Sequence, residues 1–478
     1  MDSNRVLEIF KEITRVPRES GHEELIIAYL QNFAVAHSLE CRTDEAGNVV
    51  IVKPASPGKE KVPVLVLQSH SDMVCEKKSG VEHDFARDPI RYEIRDGWMI
   101  APDTTLGADC GIGIAAELAL LESDQPTGRI ECLFTVSEET GLDGAKSLKP
   151  GFITGRTLLN LDSEDEGELF VGCAGGIDTT ASFRYDMVEL PEFVGLLSFR
   201  IHGGVGGHSG DDINKGRANA VRILARFLYR ELGSYALCHI EGGNKRNAIA
   251  REASCVVAVR GTGDGLKEEF ERFSAEIKEE FAEREPELAF ECVEVSGEYR
   301  MIPDFEAQRL VSALVAAPHG VLAMSQDIPG LVETSSNLAA VRMDDVAGTL
   351  QVITNQRSSA AGGCRAAAEK MRACMELAGG EVSHENEYPG WQPNLHSRIL
   401  EISRKAYKDL FGAEPVVRAI HAGLECGLFL DIYPDLDMIS FGPTLRGVHA
   451  PGERLDLASL DKFVKLLDRV VSDFEQVW

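Results

Sequence analysis

Short apolar segments alternate with helical patterns through the first third of the chain. Helical spacing of apolar residues runs through 6–14, 23–36 and 110–121, and continuous apolar runs occupy 62–67, 130–136 and 157–161. Because strands that alternate with helices pair side by side through crossover connections, this order favours a parallel arrangement. We therefore predict an α/β fold whose catalytic domain has a mixed, largely parallel sheet with helices on both faces.

The middle of the chain has a different pattern. Strand-like runs and helical patterns mix there, at 197–201, 220–232, 255–259 and 266–281, and again at 308–316, 349–354 and 364–377. A single hydrophobic core stops growing at about 250–300 residues, so a chain of 478 residues is expected to contain more than one domain. We predict a catalytic domain formed by 1–185 and 385–478, and an inserted α+β lid domain at 186–384 with two similar halves.

Charge and cysteine content exclude several classes of function. The chain has 77 acidic and 49 basic residues and a formal net charge of -28. Because such a surplus repels phosphate backbones and anionic lipids, we expect neither nucleic acid nor a membrane as partner. The 11 cysteines form no Cys-x-x-Cys pair, and no secretory signal is visible. No apolar run reaches the ~18–20 residues that span a bilayer. We therefore expect a cytoplasmic protein with reduced thiols.

Polar residues directly follow three of the predicted strands. His70 and Asp72 come after the first run, Glu138 and Glu139 after the second, and Asp162 after the third. Ligands of parallel α/β sheets collect beyond the carboxyl ends of the strands, so we expect these side chains to meet there. They supply imidazole and carboxylate groups suited to zinc. Two more distant candidates of the same kind are Asp109 and His449.

The adjacent carboxylates of Glu138 and Glu139 need an explanation. Two neighbouring carboxylates in a cleft repel each other unless a cation or a proton compensates. With a metal ion present, one glutamate coordinates it while the other accepts a proton from a metal-activated water. An exposed loop pair on an acidic protein is the alternative. Asp72 lies two residues beyond His70, so in an extended segment its carboxylate is placed to orient the imidazole.

Six short motifs occur in order along the chain, at 70–72, 107–109, 137–141, 160–164, 206–210 and 447–451. Together they resemble the motifs of the aminoacyl-histidine (Xaa-His) dipeptidases, a family of di-zinc metallopeptidases. The resemblance implies that His70, Asp109 and Asp162 hold one zinc ion. It also implies that Asp109, Glu139 and His449 hold the second, so that Asp109 is the bridging ligand. Cys110 departs from the pattern, which has Asn or Asp there, and a neutral packed thiol is expected.

The same resemblance implies catalytic roles for three residues. Glu138 is expected to be the general base, which activates the water and then passes a proton to the leaving amine. Asp72 is expected to clamp His70. His208 lies in a glycine-rich segment and is expected to stabilise the tetrahedral oxyanion, with a turn histidine as the alternative.

Three further stretches, at 243–248, 355–359 and 421–427, resemble the substrate-binding parts of these dipeptidases. Arg357 would pair with the terminal carboxylate of the substrate, Asn247 would hold a backbone group, and Glu425 would bind the free amino terminus. Surface solvation is the alternative for each of them.

We expect a cytosolic metallo-dipeptidase that cleaves Xaa-His and related dipeptides with two Zn²⁺ per chain. A di-zinc N-acyl amino acid deacylase or carboxypeptidase shares the metal ligands and is the first alternative. A non-catalytic binding protein is expected to lack the base or a ligand, and a two-metal phosphatase requires clustered Arg and Lys. The sequence shows neither feature. Mn²⁺ or Co²⁺ as a substitute, and a homodimer or a monomer, are left open.

Overall fold

The computed structural model describes residues 1–191 and 194–476. The chain divides into two compact units. Unit 1 comprises Met1–Cys173, Trp391–Ala419 and Leu424–Trp478, and unit 2 comprises Ala174–Gly390 and Ile420–Gly423. The predicted division into a catalytic domain and a lid domain, with boundaries at 185 and 384, stays a prediction.

The helices and strands are numbered here in chain order. In the described part of the chain the helices are α1 (Ser3–Ile13), α2 (Glu24–Ala36), α3 (Ala108–Glu122), α4 (Glu138–Gly141), α5 (Asp143–Ser147), α6 (Ala220–Arg230), α7 (Asp264–Glu280), α8 (Asp304–Ala316), α9 (Ala361–Leu377), α10 (Arg398–Phe411), α11 (Glu425–Ile432) and α12 (Leu457–Gln476). The first strands are β1 (Glu40–Thr43), β2 (Val49–Lys53), β3 (Leu65–His70), β4 (Glu93–Arg95), β5 (Trp98–Ile100), β6 (Ile130–Thr135), β7 (Thr157–Asn160) and β8 (Glu168–Cys173). The later strands are β9 (Gly175–Arg184), β10 (Val188–Glu189), β11 (Val194–His202), β12 (Gly207–His208), β13 (Ala236–Gly242), β14 (Ala248–Ile249), β15 (Ala253–Arg260), β16 (Ala289–Glu294), β17 (Arg300–Met301), β18 (Gly320–Met324), β19 (Val332–Asp344), β20 (Thr349–Ser358), β21 (Glu381–Tyr388), β22 (Val416–Ile420), β23 (Asp437–Ser440), β24 (Leu445–Arg446) and β25 (Arg454–Asp456).

The main sheet of unit 1 runs in the order β1, β2, β6, β3, β7, β23, β8, β22. Its central strands β6, β3, β7 and β23 are parallel to one another, whereas β1 pairs antiparallel with β2, β2 with β6, and β8 with β23. Every residue of β2, β3 and β6 is buried. Since successive side chains of a strand point to opposite faces, both faces of this sheet are covered. The prediction of a mixed, largely parallel sheet is confirmed.

Unit 2 contains an antiparallel sheet in the order β16, β11, β15, β13, β19, β20, β9, β21, with β18 beside β19. Helices α6 to α9 contribute buried apolar residues to its core, where the rings of Phe199 and Phe270 lie 4.6 Å apart. This is the α+β architecture predicted for the middle of the chain. The pairing of Gly242 in β13 with Val341 in β19 joins the part of the sheet from β16 to β13 to the part from β19 to β21. The interpretation as two similar halves stays a prediction.

None of the described helices combines the length and the apolar character needed to cross a bilayer.

Candidate metal centre

The predicted metal ligands lie at the carboxyl ends of neighbouring parallel strands in unit 1. β3 ends at His70, β6 is followed by α4, and β7 is followed by the segment that contains Asp162. Because β3 lies between β6 and β7 in the sheet, the three strand ends are adjacent. Asp109 lies in the first turn of α3, and His449 comes from the segment between β24 and β25.

Asp109 presents one carboxylate oxygen to each of two histidines. Its Oδ1 lies 3.0 Å from His70 Nε2, and its Oδ2 lies 3.2 Å from His449 Nε2. His70 Nε2 is also 3.2 Å from Asp162 Oδ1, and His449 Nε2 is 2.9 Å from Glu139 Oε1. The structure therefore brings the five residues together as two groups that share Asp109.

This set of side chains fits divalent metal ions. His70, Asp109 and Glu139 each offer a ligand atom, and these atoms lie within 4.8 Å of one another. Asp162 Oδ1 is buried and makes no hydrogen bond among the described residues; its close contact is His70 Nε2 at 3.2 Å, a ring nitrogen that Asp109 Oδ1 also faces. A buried carboxylate oxygen without a donor is costly unless a cation compensates its charge. Imidazole nitrogens and carboxylate oxygens are ligands that zinc accepts.

The electrostatics of the cluster also favour a bound cation. Burial raises the pKa of Asp162 to about 7, and Asp109 contributes to this rise. Burial likewise raises the pKa of Glu138 well above its ordinary value, with a contribution from Asp162. Burial lowers the pKa of His70, but the neighbouring carboxylates outweigh it and raise the pKa well above the ordinary value. Without a cation, these carboxylates resist being ionised together.

Asp72 links His70 to the Glu138–Glu139 pair. Its Oδ1 lies 3.3 Å from His70 Nδ1 and accepts the backbone N–H of Glu138 at 3.1 Å. Its Oδ2 accepts the backbone N–H of Glu139 at 3.2 Å. Burial raises the pKa of Asp72, but the hydrogen bond with His70 and other donors outweigh it and lower the pKa to about 2. The sequence spacing predicted the contact with His70, whereas nothing in it indicated the two backbone contacts.

Glu453 is a buried carboxylate of this centre that sequence reasoning missed. Its Oε2 accepts the backbone N–H groups of Leu106 and Gly107 at 2.6 and 2.9 Å. Its Oε1 accepts those of Ala108 and Asp109 at 2.8 and 3.4 Å. Glu453 thereby fixes the turn that carries Asp109. Its position shortly after His449 is the one sequence signal that could have drawn attention to it.

Glu425 is buried at the start of α11 in the same unit. Its Oε2 accepts hydrogen bonds from Gln68 Nε2 at 2.6 Å and from Thr135 Oγ1 at 2.8 Å. Its Oε1 is buried and has no hydrogen-bond partner within the described ranges. Burial raises the pKa of Glu425 to about 8. Because Gln68 and Thr135 lie near the ends of β3 and β6, Glu425 borders the strand ends that carry the metal ligands. The alternative that Glu425 is a solvated surface residue is therefore wrong.

Arg357 is buried within unit 2, with 6% of the residue exposed. Its Nε donates to Asn355 Oδ1 at 2.9 Å and to Ser209 Oγ at 3.2 Å. Its Nη1 donates to Tyr388 Oη at 2.9 Å. Surface solvation, the alternative considered for this arginine, is therefore wrong. Its predicted contact with a substrate carboxylate stays a prediction.

His208 and Asn247 also lie in unit 2. His208 Nδ1 accepts the backbone N–H groups of Gly210 and Asp211, each at 3.3 Å, and lies 3.4 Å from Asp211 Oδ2. These contacts are typical of a turn histidine. The backbone carbonyl of Asn247 accepts the N–H of Ser209 at 2.9 Å, and its side chain is exposed. The predicted roles of His208 in stabilising the oxyanion and of Asn247 in holding a substrate backbone group stay predictions.

Cys110 is buried directly after Asp109. Its Sγ donates to the backbone carbonyl of Leu161 at 3.3 Å, and burial raises the pKa of the thiol well above its ordinary value. Its Sγ lies within 4.8 Å of ligand atoms of His70 and Asp162. Because a neutral thiol is a poor metal ligand, this environment is that of the packed cysteine expected from the sequence.

Comparison with known proteins identifies the family to which the chain belongs. The model of "Peptidase family M20/M25/M40" matches residues 66–473. The chain belongs to this peptidase family. The cytosol non-specific dipeptidase of Escherichia coli (strain K12) is 37% identical to this M20 peptidase over 470 residues, which cover 98% of this chain and 96% of the relative.

Solved structures agree with this membership. The crystal structure of aminoacylhistidine dipeptidase from Vibrio alginolyticus matches the M20 peptidase with a TM-score of 0.91 and 38% identity, and covers 98% of this chain and 96% of that chain. A tripeptidase from Staphylococcus aureus, 18% identical with a TM-score of 0.58, covers 100% of this chain and 99% of that chain and shares the fold.

These matches confirm the predicted resemblance to the aminoacyl-histidine dipeptidases and the prediction of a peptide-bond hydrolase. Membership of this metallopeptidase family implies a metal cofactor. The alternatives of a phosphatase and of a non-catalytic binding protein are therefore dropped.

Proposed function

We propose that this M20 peptidase is a di-zinc dipeptidase that hydrolyses Xaa-His and related dipeptides in the cytoplasm. One observation carries the proposal: the two carboxylate oxygens of Asp109 face His70 and His449 at 3.0 and 3.2 Å. A carboxylate shared between two groups of ligands is suited to a pair of metal ions. The names of the two relatives, a cytosol non-specific dipeptidase and an aminoacylhistidine dipeptidase, support the substrate class.

The two groups of side chains define the two proposed sites. His70, Asp109 and Asp162 would hold one ion, and Asp109, Glu139 and His449 would hold the other. Zinc in such sites supplies a Lewis acid for the scissile carbonyl and a water of lowered pKa. Mn²⁺ and Co²⁺ accept the same nitrogen and oxygen donors and are candidate substitutes.

Glu138 is the proposed general base. Among the described residues, the ion pairs of His70 and His449 involve Asp72, Asp109, Asp162 and Glu139, and none involves Glu138. The Glu138 carboxylate is thus left to accept a proton from the attacking water and to pass it to the leaving amine. Asp72 supports this role because it holds the Glu138 backbone N–H at 3.1 Å.

Asp72 has a second proposed role on the imidazole side. Its Oδ1 lies 3.3 Å from His70 Nδ1, on the side of the ring opposite the ligand cluster. A carboxylate in this position fixes the tautomer and the orientation of the ring, so that Nε2 faces Asp109 and Asp162. The same side chain therefore orients one metal ligand and the proposed base.

Both ends of a dipeptide have a proposed partner. The unpartnered Oε1 of Glu425 would accept the ammonium of the substrate's amino terminus, since the described residues offer it no donor. Arg357 would pair with the terminal carboxylate. Asn247 would hold a backbone group, and His208 would stabilise the oxyanion. Binding of a free amino terminus by Glu425 favours a dipeptidase over a deacylase, whose N-acyl substrates lack one, and over a carboxypeptidase, which cleaves far from it.

The test is hydrolysis of a substrate panel with the metal-loaded protein. Xaa-His dipeptides, other dipeptides, tripeptides and N-acetyl amino acids are compared, with Glu425→Gln as a second enzyme. We expect dipeptides to be cleaved best and Glu425→Gln to lose kcat/KM mainly on substrates with a free amino terminus. Turnover of the acetylated compounds alone would make the protein a deacylase.

A further inference from the structure

The segment 18–23, between α1 and α2, precedes the part of the chain that the family model matches, which is 66–473. It nevertheless contacts the strand ends of the metal centre. The backbone carbonyl of Arg18 accepts the N–H of Met73 at 3.0 Å, and Glu19 forms a parallel bridge with Met73. The segment is thus attached to the chain just after His70 and Asp72.

Arg18 attaches the segment to the backbone beside the ligands His70 and Asp109. Only 2% of this residue is exposed. Its Nη1 donates to the carbonyls of Asp72 at 2.7 Å and Ser71 at 3.3 Å, and its Nη2 donates to the carbonyl of Gly107. A Cβ atom at Gly107 or Gly111 would lie 2.5 or 2.6 Å from Nη2. These glycines therefore make room for the guanidinium, which connects the end of β3 to the turn that carries Asp109.

Ser20 contacts the carboxylate that orients His70. Its Oγ donates to Asp72 Oδ2 at 2.7 Å. The same oxygen accepts the N–H of Glu139 at 3.2 Å. Two donors from different parts of the chain thus fix the rotation of the Asp72 carboxylate, whose other oxygen faces His70 and Glu138.

Glu23 holds the turn that leads into the proposed base. Its Oε1 accepts the backbone N–H of Ser137 at 2.9 Å, the Ser137 hydroxyl at 2.8 Å and the N–H of Gly21 at 2.9 Å. Ser137 has φ +51°, in the left-handed region that is unfavourable for a residue with a Cβ. Because Ser137 directly precedes Glu138 and Glu139, its conformation sets the direction in which both side chains leave the strand end.

We propose that Ser20 and Glu23 are positioning residues of the metal centre, in a segment anchored by Arg18. Glu23 fixes the backbone that carries Glu138 and Glu139, and Ser20 fixes the carboxylate of Asp72. Neither residue touches the substrate or the reacting atoms, so both act through others. The proposal rests on the proposed function of the centre, because it needs Glu138 as base and Glu139 as ligand.

The chain offers a matched control for Glu23. Glu131, near the start of β6, accepts the backbone N–H of Thr154 at 2.6 Å, the Thr154 hydroxyl at 2.8 Å and the N–H of Gly155 at 3.3 Å. It is fully buried and also pairs with Arg42 at 3.4 Å and Arg129 at 3.6 Å, so its loss is expected to disturb folding at least as much as the loss of Glu23. It has no contact with the metal ligands among the described residues.

The experiment compares Glu23→Ala and Glu131→Ala in the zinc-loaded and Co²⁺-loaded full chain. Glu23→Ala is expected to lower kcat by about 10–100-fold with little change in KM, the range typical for partners of metal ligands. Its Co²⁺ absorption bands should shift, because they report ligand geometry. Glu131→Ala is expected to lower the melting temperature while kcat per folded molecule and the Co²⁺ bands stay at wild-type values. Glu23→Gln, which keeps an acceptor oxygen, should recover part of kcat.

Ser20 is tested by Ser20→Ala and by Ser20→Thr, which retains a hydroxyl. The alanine variant should lower kcat and the threonine variant should restore it. Wild-type kcat and unshifted Co²⁺ bands in both Glu23→Ala and Ser20→Ala would overturn the proposal, as would equal losses in Glu23→Ala and Glu131→Ala. A wild-type protein that binds Co²⁺ but cleaves no dipeptide would contradict the proposed function instead.

Discussion

His449 and His70 face opposite oxygens of Asp109, but their exposure to solvent differs: 49% of the His449 side chain is exposed, whereas that of His70 is fully buried. The group of ligands around His449 is therefore open to water, while the group around His70 is enclosed. The positive φ of His449, +61°, shows that its loop is held in an unusual conformation. The two proposed metal sites share a ligand but should not be equally easy to empty.

The first prediction concerns the open site. His449→Ala removes its one imidazole and leaves Asp109 and Glu139, so the zinc content is expected to fall to about one ion per chain while the His70 side stays loaded. Elemental analysis of the dialysed protein measures this. His37→Ala is a suitable control, because His37 is a partly exposed histidine at the end of α2. Two zinc ions in His449→Ala would remove His449 from the ligand set.

A second prediction separates the proposed base from the ligands. Glu138→Gln keeps the size of the side chain but cannot accept a proton, so kcat should fall by about 10²–10⁴-fold, as for the loss of a general base. Zinc content and melting temperature should stay at wild-type values. Glu139→Gln is the neighbouring comparison and is expected to lose zinc as well as activity. If Glu138→Gln turned over dipeptides at the wild-type rate, another residue would have to be the base.

The third prediction concerns pH and the buried carboxyl of Glu117 in α3. Its Oε2 accepts the hydroxyl of Ser69 at 2.7 Å, and its Oε1 has no hydrogen-bond partner in the described ranges. Burial raises the pKa of Glu117 well above its ordinary value. The folded protein therefore keeps this proton at pH values at which the unfolded chain loses it. The contribution to stability is complete below the unfolded pKa and is lost as the pH rises through the folded pKa.

Replacing Glu117 by glutamine removes this titration and keeps the shape of the side chain. Between about pH 6 and about pH 9, the free energy of unfolding of the wild type should fall more than that of Glu117→Gln. Urea unfolding of the zinc-loaded proteins at both pH values measures the difference. Identical pH dependence of the two proteins would show that Glu117 is ionised in the fold.

The strands that carry the site could be predicted because a buried parallel strand is a continuous apolar run. The runs at 130–136 and 157–161 correspond to Ile130–Thr135 and Thr157–Asn160. The run at 62–67 is displaced, since the structure has this strand at Leu65–His70. The polar end of this strand is buried, and its side chains form hydrogen bonds there: Gln68 with Asn160, and Ser69 with Glu117. Hydrophobicity alone does not reveal such pairs.

The residues that support the ligands could not be predicted in this way. Glu453 accepts the backbone N–H of Ala108, 345 positions earlier, and Arg18 donates to the carbonyl of Gly107, 89 positions later. A bond between a side chain and a distant backbone group leaves no periodic pattern in either segment. Gly107 and Gly111 leave room for the Arg18 guanidinium, but a glycine in a sequence does not show which group will approach it.

The measurement that tests the central claim most directly is a zinc titration of the metal-free protein, with dipeptide hydrolysis and bound zinc followed together. The chelator-treated protein should have no activity. On addition of zinc, hydrolysis of an Xaa-His dipeptide should rise to its plateau as the bound zinc reaches about two ions per chain, as a site with a bridging carboxylate requires. Full activity in the metal-free protein, or a plateau at one bound ion with no second binding event, would contradict the two-metal account.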